Sequence, residues 1–333
     1  MKRIITIALA TTALVACTKE NTLQTAEKAA ITFENAFVDN TTKATDLTTD
    51  NITNFGVYAS VKNSAGDQGL ILTNEPVSGS KASGYSYTNT QYWVPNATYS
   101  FVAIAPHTEA HWKYTPATET NGVNAYNGVI SFDNVSAAAN QDVIFASHQR
   151  SMPSTITSVT PVSLTFNHIL SRVRLTFINA ITPTANISLQ INNVKITNAY
   201  EKGTLEVQNG TVASSTWTVS NKTLSVPFAN NKAILAGETS ESTEHHYFIP
   251  APAETKYNVT FDVTIYQAGV ELGTYNRTAS VKVTMSQGAS YDIKASLTTN
   301  NVLPNALQPI TFTVDSVNNW DNWTDVTGSV PGE

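Results

Sequence analysis

The sequence predicts an all-β protein of two β-sandwich domains behind an export signal, and three observations predict it. Apolar residues recur at alternate positions in short runs across the chain, the period of strands with one buried face. Turn formers separate these runs, and beyond the signal no segment longer than about ten residues keeps helical spacing. Apolar residues make up 41% of the 333 positions and charged residues only 13%. The balance is rich in Thr, Ser and Asn, which suit pleated surfaces and turns.

The first element is the signal. Lys2 and Arg3 precede an apolar run from Ile4 to Leu14, and Leu14-Val15-Ala16-Cys17 ends it at the single cysteine. A basic start, a short apolar segment and small residues before a cleavage point describe a secretory signal peptide, too short to span a bilayer. The position of the cysteine is that of a lipoprotein. Residues 1–16 are therefore expected to be removed, leaving Cys17 to carry a diacylglycerol on its thiol and an acyl chain on its amine. At about 0.8 kcal/mol per buried CH₂, several chains hold a protein to a membrane almost permanently. Loss of Lys2 and Arg3 leaves 17 basic against 25 acidic side chains, a net charge of −8. No basic stripe suits nucleic acid, and no later run of about 18 apolar residues could span a membrane as a helix. With its thiol acylated the chain has no disulfide, so burial and strand pairing must hold the fold.

Residues 17–30 read as a polar tether, with a helical turn near Glu27. Ile31, Phe33 and Phe37 mark a first strand that ends before Asp39-Asn40. Phe55, Val57, Ala59 and Val61 alternate cleanly, and Asn63-Ser64-Ala65-Gly66-Asp67 is a turn. Tyr99 to Ala105 is apolar or small on both faces, as in a strand covered on both sides. From Pro106 to Gln141 turn formers punctuate short apolar pieces, and Val143 to Ala146 ends the first half. Val162, Leu164, Phe166, His168 and Leu170 then lie on even positions, while Val173, Leu175 and Phe177 lie on odd ones. Such a parity switch requires a bulge or bend, placed at Ile169 to Arg172. Further strands read at Leu189 to Ile196, Leu205-Val207, Trp217 to Val219, Tyr257 to Ile265, Val270-Leu272, Val281 to Met285, Tyr291 to Leu297 and Ile310 to Val314. Length allows about two domains, and the boundaries are set at 31–158 and 159–333.

Several segments together resemble the fimbrillin family, the type V pilin lipoproteins of Bacteroides-like bacteria. They are the lipoprotein signal, Ile31-Thr32-Phe33 followed by Lys43-Ala44, Asn54 to Ala59, Tyr92-Trp93 leading to Tyr99 to Pro106, Asp142 to Ala146, and Leu164 to Val173. The resemblance implies two tandem transthyretin-like β-sandwich domains and a structural or adhesive role in surface fimbriae. It also implies an assembly route. A trypsin-like protease cuts behind the first strand, here between Lys43 and Ala44, and the strand carrying Ile31, Phe33 and Phe37 leaves. The groove so opened takes the C-terminal strand of a neighbour, here Ile310, Phe312 and Val314. One groove and one strand per subunit give a head-to-tail filament. Arginine is the family's usual residue at the cut, and lysine here leaves open an uncut subunit that keeps its lipid, as an anchor or accessory subunit. The implied setting is the outer membrane surface, with other fimbrial subunits as partners and a surface glycan or protein as receptor.

No cofactor, metal or catalytic signature accompanies this pattern. His107 and His111 lack the His-Glu-x-x-His order and follow Pro106 in a loop, and His245-His246 reads as an exposed loop. His168 lies in line with Leu164 and Phe166 and is expected to pack or hydrogen-bond in the core. No Gly-x-Ser-x-Gly elbow surrounds any serine, and Asp142 and Glu109 have no carboxylate partner at catalytic spacing. The chain is therefore not expected to be an enzyme. The alternative to a pilus role is a monomeric surface glycan-binding lipoprotein, with Trp320 and Trp323 as the candidate sugar platform.

Overall fold

The computed structural model describes residues 28–38, 46–107, 111–134, 140–229, 233–240, 242–303 and 308–320. Cys17, most of the tether, Lys43, Ala44 and Trp323 lie outside them.

Strands carry nearly all the regular structure, as expected. The first nine are β1 (Phe33–Val38), β2 (Asn54–Lys62), β3 (Gln68–Ser80), β4 (Gly84–Ser86), β5 (Thr98–Ala105), β6 (Trp112–Glu119), β7 (Gly122–Asp133), β8 (Ile144–Ser151) and β9 (Val162–His168). All belong to one large sheet, whose main path runs β1-β9-β8-β5-β2-β3-β7 before continuing into later strands. β10 (Ser171–Asn179) opens a second sheet and β11 (Ile187–Ala199) a third. β12 (Lys202–Gln208), β13 (Thr211–Val212) and β14 (Thr218–Ser220) return to the first, where β12 pairs with β7. β15 (Leu224–Phe228) and β16 (Ala233–Ile234) pair with β11, and β17 (His246–Phe248) pairs with β10. β18 (Thr255–Gln267) and β19 (Val270–Val283) form a long hairpin on β11, and β20 (Ala289–Leu297) and β21 (Phe312–Asn319) complete the second sheet.

The parity switch has a plain structural counterpart. β9 buries Val162, Leu164 and Phe166 in the large sheet, the chain turns at Ile169-Leu170, and β10 enters the second sheet with Val173, Leu175 and Phe177 inward. The second and third sheets pack face to face through these residues, with Phe177 and Phe261 ring centroids 5.0 Å apart. The large sheet extends beyond residue 158, since β9 pairs with β8 and β1, and β12 pairs with β7. β3 and the β6–β7 hairpin show how alternation hides strands that are half-solvated or bulged. In β3 the pairing with β2 slips at Asn74, which adopts a left-handed conformation at φ 46° that Asn tolerates better than most residues.

Candidate functional site

The first strand ends the large sheet and fills a slot in it. β1 runs parallel to β9, with Phe33, Ala36 and Val38 opposite Val162, Leu164 and Phe166 and one extra residue accommodated between Phe33 and Ala36. Just upstream, Ile31 N–H donates to the Gln91 carbonyl at 2.8 Å and Trp93 N–H donates to the Ala29 carbonyl at 3.0 Å. Val162 N–H donates to the Thr32 carbonyl at 2.7 Å, so the segment is gripped on both sides. Ile31, Phe33, Ala36 and Val38 are all buried. Phe33 meets Phe55, Tyr87 and Phe101 edge-on, at centroid distances of 6.3, 5.4 and 6.1 Å, a favoured aromatic arrangement. Every one of these contacts joins residues 28–38 to partners beyond residue 46, so the strand is a plug seated in a scaffold that the rest of the chain builds.

The expected cut lies between two fixed points. Val38 N–H donates to Thr49 Oγ1 at 2.9 Å. Thr49 belongs to a tight turn in which Ile52 N–H donates to the Thr48 carbonyl at 3.0 Å and Asn51 Nδ2 donates to the Asp46 carbonyl at 2.7 Å. Asp46 itself is fully buried and ion-paired with Arg172. It also accepts from Tyr247 Oη at 2.6 Å and lies 3.1 Å from His245 Nε2. Burial alone would raise the Asp46 carboxyl, but the His245 hydrogen bond, the Arg172 charge and the Tyr247 hydroxyl outweigh it and hold the carboxyl at about 2. Arg172 in turn donates to Ser290 Oγ at 2.6 Å and to the Trp320 carbonyl at 3.0 Å. One guanidinium thus joins the residue three beyond Lys43 to the second sheet and to the end of β21.

A companion pair lies beside it. Asp142 Oδ2 accepts Leu47 N–H at 2.9 Å and lies 2.9 Å from His168 Nδ1, with both side chains buried. His168 is stacked on Trp320 at 4.1 Å between centroids, which agrees with the core role read for it. Asp46 is therefore held by Arg172 of β10, and Leu47 by Asp142, which is paired in turn with His168 of β9. Neither pair was legible in the sequence: Asp46 and Arg172 are 126 residues apart, and Asp142 and His168 lie on different segments that only tertiary folding brings together. The available signal was Arg172, which with Arg174 places two cations among the apolar residues Ile169, Leu170, Val173 and Leu175.

The remaining candidates divide. Ile310, just before β21, and Phe312 are buried, and Val314 is half-buried in the chain's own second sheet, where β21 pairs antiparallel with β20. Phe312 meets Phe177 at 5.7 Å and Phe261 at 6.1 Å. Trp320 does not form a sugar platform: it is 1% exposed, stacked on His168 and Tyr247, and has the Arg172 guanidinium 5.0 Å from its ring centroid. His245 is half-buried beside Asp46 rather than displayed in an exposed loop. Among the described residues no three His, Cys, Asp or Glu side chains converge as a metal site would require.

The profile of a family described as fimbrillin-like matches residues 42–320. No curated protein matches the chain. Among solved structures, a fimbrial protein from Bacteroides vulgatus superposes with a TM-score of 0.61 at 15% identity, over 87% of this chain and 99% of that one. Candidate cell-adhesion proteins from Bacteroides uniformis and Bacteroides ovatus each superpose with a TM-score of 0.50 at 16% identity. The alignments cover 89% and 88% of this chain and 99% of each of theirs. At these identities the structural likeness establishes a shared fold.

Proposed function

This chain belongs to the fimbrillin-like family, and from that premise we propose that it is a subunit or accessory adhesin of surface fimbriae. It reaches the outer membrane as a lipoprotein acylated at Cys17, is cut between Lys43 and Ala44, and assembles head-to-tail by strand exchange. The partners are other fimbrial subunits.

The observation that carries this reading is the seating of β1. An edge strand with three buried apolar side chains, preceded by the buried Ile31, is fixed to its scaffold by pairing and packing, while the bond proposed for cleavage lies between Val38 and Asp46. After a cut, nothing covalent holds the plug. Its departure would uncover the Phe33 slot and the edge of β9, an open sheet edge of the kind that accepts another chain's strand. The mature end would stay in place, because Asp46 and Leu47 are bound by Arg172 and Asp142.

Limited digestion with a lysine-cleaving protease tests this, with Lys43→Ala as control. The expected result is loss of the fragment ending at Lys43, followed by filaments in electron micrographs, with neither seen for Lys43→Ala. A chain that is cut and releases the fragment yet stays monomeric would overturn the assembly reading.

A further inference from the structure

The leaving strand and the C-terminal strand carry the same motif. Residues 31–38 read Ile-Thr-Phe-Glu-Asn-Ala-Phe-Val and residues 310–317 read Ile-Thr-Phe-Thr-Val-Asp-Ser-Val, identical at the first three positions and the last. The shared apolar pair occupies equivalent settings. Ile31 and Phe33 are buried in the core against the large sheet, Ile310 and Phe312 are buried in the core between the second and third sheets, and each phenylalanine is set among aromatic rings.

Resting on the strand-exchange reading above, we infer a register for the exchanged strand. The β21 segment of a second copy enters parallel to β9, with Ile310 in the place of Ile31 and Phe312 in the place of Phe33, opposite Val162. Two competing registers come from the strand's own bulge and from its direction. In its own sheet β21 places an extra residue between Val314 and Ser316, so the positions opposite the inward residues of β20 are 312, 314 and 317. Matching that bulge to the one between Phe33 and Ala36 would slide the strand by two residues. Phe312 would then enter the isoleucine site and Val314 the phenylalanine site. Overpacking the first costs roughly 1–3 kcal/mol and leaves a cavity in the second. The motif register replaces isoleucine with isoleucine and phenylalanine with phenylalanine. With β21 keeping its own extra residue at Asp315, Val314 rather than a carboxylate takes the Ala36 place opposite Leu164 and Val317 takes the Val38 place opposite Phe166, so the one misfit is valine for alanine. A reversed strand would put neither residue in its counterpart's site. The pair is equally buried in either slot, so it fixes where the strand sits rather than driving it to move.

The mature sequence has no cysteine once residues 1–43 are removed, which makes disulfide trapping specific. Ser163→Cys is combined in turn with Thr311→Cys, Thr313→Cys and Asp315→Cys, each chain is cut, and the assembled material is oxidised. Linkage between subunits is expected at 313, at least tenfold more complete than at 311 or 315. A maximum at 315 would establish the two-residue slide, and a maximum at 311 or a link at none of the three would likewise overturn the inference. Filament formation by the cut, unsubstituted chain separates these results from failure of strand exchange itself, which would remove the inference with its premise. A peptide spanning residues 308–318 gives a readout that does not depend on folding of the cysteine variants. It should bind the cut chain and lose more than a hundredfold in affinity when Ile310 and Phe312 are both alanine, and an unchanged affinity would contradict the register.

Discussion

Phe33→Ala should loosen the first strand without unfolding the scaffold. The side chain is 4% exposed and meets three aromatic rings edge-on. Truncating such a buried phenylalanine costs about 3–5 kcal/mol, the sum of lost transfer energy and the cavity left behind. If β1 opens as a separate unit, that cost falls on the local opening equilibrium, and each 1.4 kcal/mol corresponds to about a tenfold change in exchange. Native-state hydrogen exchange reads it directly, because three amides report on β1 occupancy: Ile31, Trp93 and Val162, bonded to Gln91, Ala29 and Thr32. Their exchange should accelerate by roughly a hundredfold to a few thousandfold. Amides in the centre of the third sheet, such as Val263 opposite Ile191, should keep their wild-type rates. A uniform acceleration across all three sheets would refute the reasoning, because it would make β1 part of the global folding unit instead of a removable plug.

Asp46→Asn tests the clamp behind the cut. The folded carboxyl lies at about 2 against an ordinary value of 3.8, so its ionisation contributes about 2 kcal/mol that is present above pH 4 and lost as pH falls through 2. The wild-type minus Asn difference in denaturant-unfolding free energy should shrink over that window, and a pH-independent difference would contradict it. Arg172→Met leaves the Asp46 carboxylate buried without its ion-pair partner and should cost about 3–5 kcal/mol, whereas Arg172→Met combined with Asp46→Leu should recover much of that loss in the same measurement. Cys17→Ala should abolish acylation and move the protein from the membrane fraction to the soluble periplasmic fraction. Persistence with the membranes would show that Cys17 is not the anchor.

The residues that the sequence made legible are those whose neighbours along the chain decide their role. Val162, Leu164 and Phe166 followed by Val173, Leu175 and Phe177 revealed a strand, a bend and a second strand, because one inserted parity change exchanges the two faces wherever one is buried. Ile31 and Phe33 announced a buried first strand in the same way. Its partners were hidden, since Gln91 and Val162 are brought to its two edges by tertiary folding alone. The clamp was hidden for a related reason: Asp46, Arg172 and the pair His245 and Tyr247 come from three separate stretches, and an isolated acid in a polar segment looks like surface. Trp320 shows the reverse error, since an aromatic residue near a polar tail reads as a display site until its stacking on His168 and Tyr247 is seen.

Strand exchange requires that the first strand be removed from the working protein, and mass spectrometry of the mature N-terminus, taken from the native cell surface, reads that removal. Assembled protein is expected to begin at Ala44 and to lack the lipid. Assembled protein that begins at an acylated Cys17, with residues 31–38 still covalently attached, would contradict strand exchange.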